Sequence, residues 1–302
     1  MNLKSTSECK RRKTPEEPNK NEQERDMDKE LQGRIAWVTG SSRGIGRRIA
    51  ERLAEAGCDM AISGRDQTNL RSSGEGTSVD DVATEIAREY GVRCIAVCGE
   101  LSREEEVSRC AEKIRASLGK IDILVCAAGG GNVGAALRTE SPKGNAATFD
   151  TSFVHAVIDH NLLTTMLCCR AVVPDMRGRG DGRIVTIGSI AGCGGNKTGG
   201  GDFAAYSVAK SAVHQYTRLL AANLSHDGIP VNCIVPGNIN TPTTRIRFGG
   251  DRVEPTPGLS RLEHVGTPDD IARLAVFLCG PGGAYISGQV IRVDGGEQLS
   301  PC

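Results

Sequence analysis

From Gly33 onward, short apolar runs alternate with amphipathic segments, and this alternation restricts the fold more than any other property of the chain. The runs are Ile35–Thr39, Asp59–Ser63, Cys94–Cys98, Ile121–Cys126, Arg183–Ile187, Val231–Val235 and Gln289–Val293. Each is short and largely apolar, the pattern of strands covered on both sides. Between the first two, Ile45, Ile49, Leu53 and Ala56 recur at helical spacing, and Gly57 supplies the stop. Strands that alternate with helices are joined by crossovers. The pattern therefore predicts an α/β fold: one doubly wound, parallel, seven-stranded sheet with helices on both faces.

Residues 1–31 break the pattern. They hold eight basic and eight acidic side chains against five apolar ones, too few to bury surface that would order them. The expected division is a charged, disordered tail over 1–31 and a single domain over 32–302. Met27, just ahead of the Leu31–Arg34 segment where the folded pattern begins, reads as an alternative start. The run Lys10-Arg11-Arg12-Lys13 is offset by the acidic residues downstream of it, so it reads as solvated charge rather than a polyanion contact.

The formal net charge is zero, which removes any general attraction to nucleic acid or an anionic membrane. No apolar run in the sequence reaches the roughly 18 residues of a membrane span, and the N-terminus lacks the apolar core of a secretion signal. A cytoplasmic protein that contacts neither membrane nor nucleic acid is expected. The twelve cysteines contain no C-x-x-C, and several lie in strand-like runs; their spacing argues against disulfides and against metal. The five histidines show no ligand spacing either, so no metal site is expected.

The first run ends in Thr39-Gly40-Ser41-Ser42-Arg43-Gly44-Ile45-Gly46 and enters the first helix directly. Glycines in a strand–turn–helix allow a tight turn, close approach of backbone to a pyrophosphate, and helix–strand packing. The helix N-terminus adds free N–H donors and a positive dipole end. At the end of the second run an acidic residue would bond a ribose 2′-OH and repel a 2′-phosphate. This chain has Ser63-Gly64-Arg65 there. Arg65, together with Arg43, is suited to grip a 2′-phosphate, which favours NADP(H) and leaves NAD(H) possible.

Further along, Tyr206-Ser-Val-Ala-Lys210 opens a helical pattern. At i, i+4 spacing the phenol and the ammonium share one face. Moving a proton to or from an alcohol near neutral pH requires the tyrosine pKa to fall about three units, worth roughly 4 kcal/mol. A neighbouring ammonium shifts it in that direction. Ser189, one strand and one loop earlier, falls at a strand C-terminus, where open α/β sheets bind ligands.

The G-x-x-x-G-x-G turn after a threonine, with Ser189, Tyr206 and Lys210, resembles the short-chain dehydrogenase/reductase family over about residues 33–296. The resemblance implies a Rossmann-type sheet, a nicotinamide dinucleotide, hydride exchange with a secondary alcohol or ketone, and a homotetramer. It implies that Tyr206 exchanges the proton, Lys210 tunes it, Ser189 holds the substrate oxygen, and Asn161 holds a water that relays protons to the lysine. The implied cofactor site draws on Gly40, Ser42, Arg43, Gly44, Ile45 and Gly46. Arg65, Glu100, Leu101, Tyr206, Lys210, Ile239 and Thr241 complete it. Two positions depart from the family's letters: Glu100-Leu101 stands where relatives carry Asp and an apolar residue, and Cys126-Ala127-Ala128-Gly129 replaces Asn-Asn-Ala-Gly.

A catalytically silent dinucleotide-binding regulator on the same fold would be expected to have lost Tyr206 or Lys210. An epimerase of a related fold would show G-x-x-G-x-x-G. The segment after Thr241 carries Arg245, Arg247 and Arg252, a set suited to a carboxylate or phosphate on the substrate. The glycine-rich stretches 129–149 and 192–201 are expected to border the same cleft.

Overall fold

The computed structural model describes residues 29–67, 78–130, 146–194, 204–242, 244, 262 and 264–299. The tail expected over 1–31 lies outside the described residues through residue 28. Leu31 is already buried in the core, its N–H donating to Ala56 O at 3.0 Å.

Seven strands form one sheet: β1 (Ile35–Thr39), β2 (Asp59–Gly64), β3 (Cys94–Cys98), β4 (Ile123–Cys126), β5 (Arg183–Ile187), β6 (Val231–Pro236) and β7 (Val290–Val293). Their order is β3-β2-β1-β4-β5-β6-β7 and every pairing is parallel. The helices are α1 (Gly44–Glu55), α2 (Val79–Tyr90), α3 (Glu104–Ser117), α4 (Thr151–Ile158), α5 (Thr164–Met176), α6 (Ala204–Leu224) and α7 (Pro268–Cys279). The strand order reverses between β1 and β4. At such a switch point the outgoing loops diverge and leave a crevice at the strands' carboxyl ends.

Alternate strand residues feed two cores. Val38, Met60, Ile62, Ile123 and Val185 pack with Leu53 of α1, Ile86 of α2 and Ile271 of α7. Trp37, Ala61, Leu124 and Ile184 face the other way, against Ile114 of α3, Val172 and Met176 of α5, and Leu224 of α6. Trp37, the sole tryptophan, is fully buried in the middle of β1 between Ala61 and Leu124.

The expected strands are all present, with small shifts at their ends. Strand β4 starts at Ile123 rather than Ile121 because the Ile121 N–H donates to the Asp175 carboxylate at 3.2 Å instead of to a neighbouring strand. Strand β7 starts one residue late because the Gln289 N–H goes to the Asn232 side chain.

Two expectations need correction. Helices α4 and α5 are joined without a break by a π-helical turn, Asp159–Leu163. The resulting 26-residue run, Thr151–Met176, is long and apolar enough by length and composition to cross a membrane; the sequence reading found no such run. Here Val157, Asn161, Leu167, Cys168, Val172 and Met176 are buried within the protein, and 39% of the apolar window is buried in all. The second correction concerns sulfur. Nine described cysteines are free thiols, but Cys193 is disulfide-bonded. Pairing follows from which segments the fold brings together, and spacing alone does not reveal it.

Candidate active site

The glycine turn is held from three sides. Ser41 Oγ donates to Val38 O at 2.6 Å, Ser63 N–H donates to Ser41 Oγ at 2.9 Å, and Ala128 N–H donates to Thr39 Oγ1 at 3.0 Å. Gly40 adopts φ +62°, and a Cβ there would stand 2.6 Å from Ala128 Cα. A Cβ on Gly46 would stand 2.3 Å from Gly40 O. No side chain fits at either place, because main chain of the loop after β4 and of the turn itself already fills the space. Helix α1 leaves this turn with Arg43 as its N-cap, no side-chain cap bond and no acid in its first turn. By contrast α2 and α7 each have a side-chain cap and two acids at the same place. An anionic group at the start of α1 would complete what the sequence omits there. Ser42 is buried beside Arg43, and Thr241 approaches from β6, 3.8 Å from where a Gly44 Cβ would be.

Thr241 and Ile239 lie in the turn after β6. Ile239 is buried and bridges to Gly266, and the Thr241 N–H donates to Thr244 Oγ1 at 2.8 Å. Thr244, not singled out in the sequence, also donates to Ile239 O at 2.8 Å and so braces both residues. Beyond the ends of β2 and β3, Arg65 Nε pairs with Glu100 Oε2 at 3.0 Å, and Leu101 is buried in the core packed against α3.

Asn161 sits in the π-helical turn and is fully buried. Its Oδ1 accepts from Gly130 N–H at 2.9 Å, and its Nδ2 donates to Gly130 O and Val157 O. The side chain thus clamps the Gly129–Gly130 turn that follows β4. A Cβ on Gly129 would lie 2.7 Å from Asn161 Oδ1 and 3.4 Å from Lys210 Nζ, so both residues close on one glycine. The Asn161 carbonyl accepts from Thr165 Oγ1 at 3.0 Å.

Lys210, on α6, is buried and donates from Nζ to Ile187 O at 2.8 Å, at the end of the strand that leads to Ser189. Its Nζ lies 5.8 Å from the Tyr206 ring centroid. Burial pushes the Lys210 pKa down to about 8. Ser189 begins a short 3₁₀ turn, its Oγ accepting from Ala191 N–H at 3.2 Å. Sequence reasoning missed His214, one turn beyond Lys210. Its Nε2 accepts from Ser189 N–H at 3.5 Å, and its ring fills the space that side chains on Gly188 and Gly192 would need. A lone histidine in an apolar helical pattern carries no signal of that contact.

The structure thus brings Asn161, Ser189, Tyr206 and Lys210 around the ends of β4 and β5, beside the glycine turn of β1. Arg245, Arg247 and Arg252, and most of the two glycine-rich stretches, lie outside the described residues. Among the described residues no group of histidine, cysteine and carboxylate side chains could hold a metal ion.

A family model described as enoyl-(acyl carrier protein) reductase matches residues 40–298. The chain belongs to the short-chain dehydrogenase/reductase family, whose members are NAD(P)-dependent oxidoreductases. Over 277 residues it is 36% identical to cyclohexanol dehydrogenase of Rhodococcus sp. (strain TK6), spanning 89% of this chain and 98% of that protein. It is 35% identical to a 3-oxoacyl-(acyl-carrier-protein) reductase of Aquifex aeolicus, at 89% and 99% coverage. Among solved structures, RhlG of Pseudomonas aeruginosa in an NADP complex superposes with a TM-score of 0.75 at 32% identity, covering 90% of this chain and 99% of that one. A short-chain dehydrogenase of Burkholderia cenocepacia J2315, also with NADP, gives 0.71 at 28% identity, with 89% and 100% covered.

Proposed function

We propose that this short-chain dehydrogenase/reductase uses NADP(H) to interconvert a secondary alcohol and a ketone, with Tyr206 as the general acid/base. The observation that carries the reading is the position of Lys210: buried, 5.8 Å from the Tyr206 ring centroid, and bonded to the end of the strand that leads to Ser189. The residues present fit a dinucleotide. The glycines let the turn pack tightly against the loop after β4, and α1 has neither a side-chain cap nor an acid of its own to compete with a pyrophosphate. When bound, the dinucleotide supplies or takes up hydride. Arg65 and Arg43 offer guanidinium groups to a 2′-phosphate, and two structural relatives are NADP complexes.

The remaining chemistry belongs to the side chains. Ser189 donates to the substrate oxygen and holds it near the phenol. Tyr206 gives that oxygen a proton during reduction and removes it during oxidation. Lys210 favours the phenolate by its charge and offers donors to the cofactor ribose. Asn161 fixes the glycine turn against which Lys210 packs. In this reading the catalytic domain begins no later than Leu31, which is buried in its core. Exposed Val208 and Leu219 on α6 supply apolar surface for a homotetramer.

The test is a screen of the purified chain with NADPH, NADP, NADH and NAD against alcohols, ketones, sugars and hydroxy acids. Tyr206→Phe should keep its melting temperature and nearly all of its NADPH affinity while losing at least about a thousandfold in turnover, the upper part of the range for a positioned acid/base. A variant that keeps most of its single-turnover rate would remove Tyr206 from the mechanism.

A further inference from the structure

We infer that Glu100 sets how strongly this protein favours dinucleotides carrying a 2′-phosphate, by competing with that phosphate for Arg65. The inference deepens the proposed function and rests on its assignment of Arg65 to the 2′-phosphate.

Strands β2 and β3 run side by side, with Gly64 opposite Cys98, and the Gly99 N–H donates to Gly64 O at 3.1 Å. The two segments leave the sheet together, and the next side chains outward are Arg65 and Glu100. They meet at 3.0 Å, Nε to Oε2, while Ser102 Oγ donates to the other carboxylate oxygen, Oε1, at 3.2 Å. Glu100 is therefore held in place rather than swinging free. An aspartate there would end about one carbon–carbon bond, roughly 1.5 Å, shorter, so the length of the glutamate matters to the contact.

The guanidinium presents its donors in a rigid planar fork. With Nε engaged by Glu100, a phosphate must either displace the carboxylate or share the guanidinium with it. Displacement costs the ion pair, and sharing sets a carboxylate beside a phosphate dianion. Both side chains are more than one third exposed, at 39% and 35%, so the pair is weak enough to yield. A ribose 2′-OH behaves differently, because it is neutral and can donate to a carboxylate. Glu100 therefore disfavours the 2′-phosphate selectively, without a comparable penalty on the hydroxyl. Arg65 attracts the phosphate and Glu100 limits the gain.

Two probes that differ only at this position isolate the effect: adenosine 2′,5′-bisphosphate and adenosine 5′-monophosphate, titrated into the full chain by calorimetry. NADPH and NADH serve as the complete pair. Glu100→Gln should tighten the bisphosphate about three- to tenfold and move the monophosphate less than about twofold. Glu100→Asp should act in the same direction, and thermal melts check that each variant is folded. Arg65→Gln should weaken the bisphosphate, and in that background the gain from Glu100→Gln should shrink. Equal changes for both probes, weaker bisphosphate binding by Glu100→Gln, or an undiminished gain without Arg65 would each overturn the inference. If Arg65→Gln itself leaves bisphosphate binding unchanged, the assignment of Arg65 fails and the inference fails with it. If only the Glu100 variants are flat, the assignment survives alone.

Discussion

His214 occupies the narrow space between α6 and the Ser189 turn, and its protonation is coupled to that packing. Burial, with the positive charges of Lys210 and Arg218 nearby, lowers its pKa from 6.5 to about 4. Between those values the unfolded chain takes up a proton that the folded protein refuses. Stability contributed by the neutral imidazole is thus present above pH 6.5 and is lost as pH falls toward 4, up to about 3 kcal/mol. Urea unfolding of the wild type and His214→Gln at pH 7 and pH 4.5 measures it. The wild type should lose more stability over that interval than the variant; parallel losses would show that His214 does not titrate as its surroundings dictate. Ser189, Tyr206 and Lys210 could be singled out from the sequence as candidates because their residue types and spacing suit the proposed chemistry. His214 and the Arg65–Glu100 pair could not, because each depends on a contact between segments far apart in the chain.

At the scale of elements, the glycine turn is the most tightly specified segment. Gly46→Ala places a Cβ 2.3 Å from Gly40 O, a contact that only movement of the turn or of α1 can relieve. The expected result is a loss of about 1–3 kcal/mol in stability and at least a tenfold loss of NADPH affinity, read by urea unfolding and by calorimetry. Retained affinity would mean that the turn can shift without harm to the phosphate site. The strands were readable because a strand covered on both faces leaves an uninterrupted apolar run, as in Ile35–Thr39. Their ends were less so: Ile121 is as apolar as Ile123, two residues on, but its N–H is taken by Asp175, a residue of α5 that no local pattern connects to it. The π-helical turn was invisible for a related reason. Asp159–Leu163 has the composition of ordinary helix, and what marks it is Asn161, drawn inward to clamp Gly130.

At the scale of the molecule, the outer side of α6 presents Val208 and Leu219, 62% and 55% exposed. They are eleven residues apart, about three turns, and therefore on one helix face. In the tetramer proposed above, these two apolar residues, on the helix that also carries Tyr206 and Lys210, would tie assembly to the active site. Leu219→Arg would put a charge into that contact, where burial without a partner costs several kcal/mol. Light scattering after size exclusion should give a tetramer for the wild type and smaller species for the variant. An unchanged mass for Leu219→Arg would remove this face from the interface, and a monomeric wild type would remove the tetramer.

The lone tryptophan gives the protein a built-in optical reporter. With the Trp37 indole fully buried, its emission should lie well to the blue of an exposed indole and shift red as the sheet opens, so one signal follows unfolding of the central strand without a label. Trp37 also stands only two residues ahead of the strand's end at Thr39, where the glycine turn begins. A reduced nicotinamide absorbs light where tryptophan emits, so excitation of the indole should sensitise emission from bound NADPH. The quenched tryptophan band and the sensitised nicotinamide band would then rise and fall together as the crevice fills. Because no other indole contributes, the spectrum of each variant reads fold and cofactor occupancy in the same cuvette.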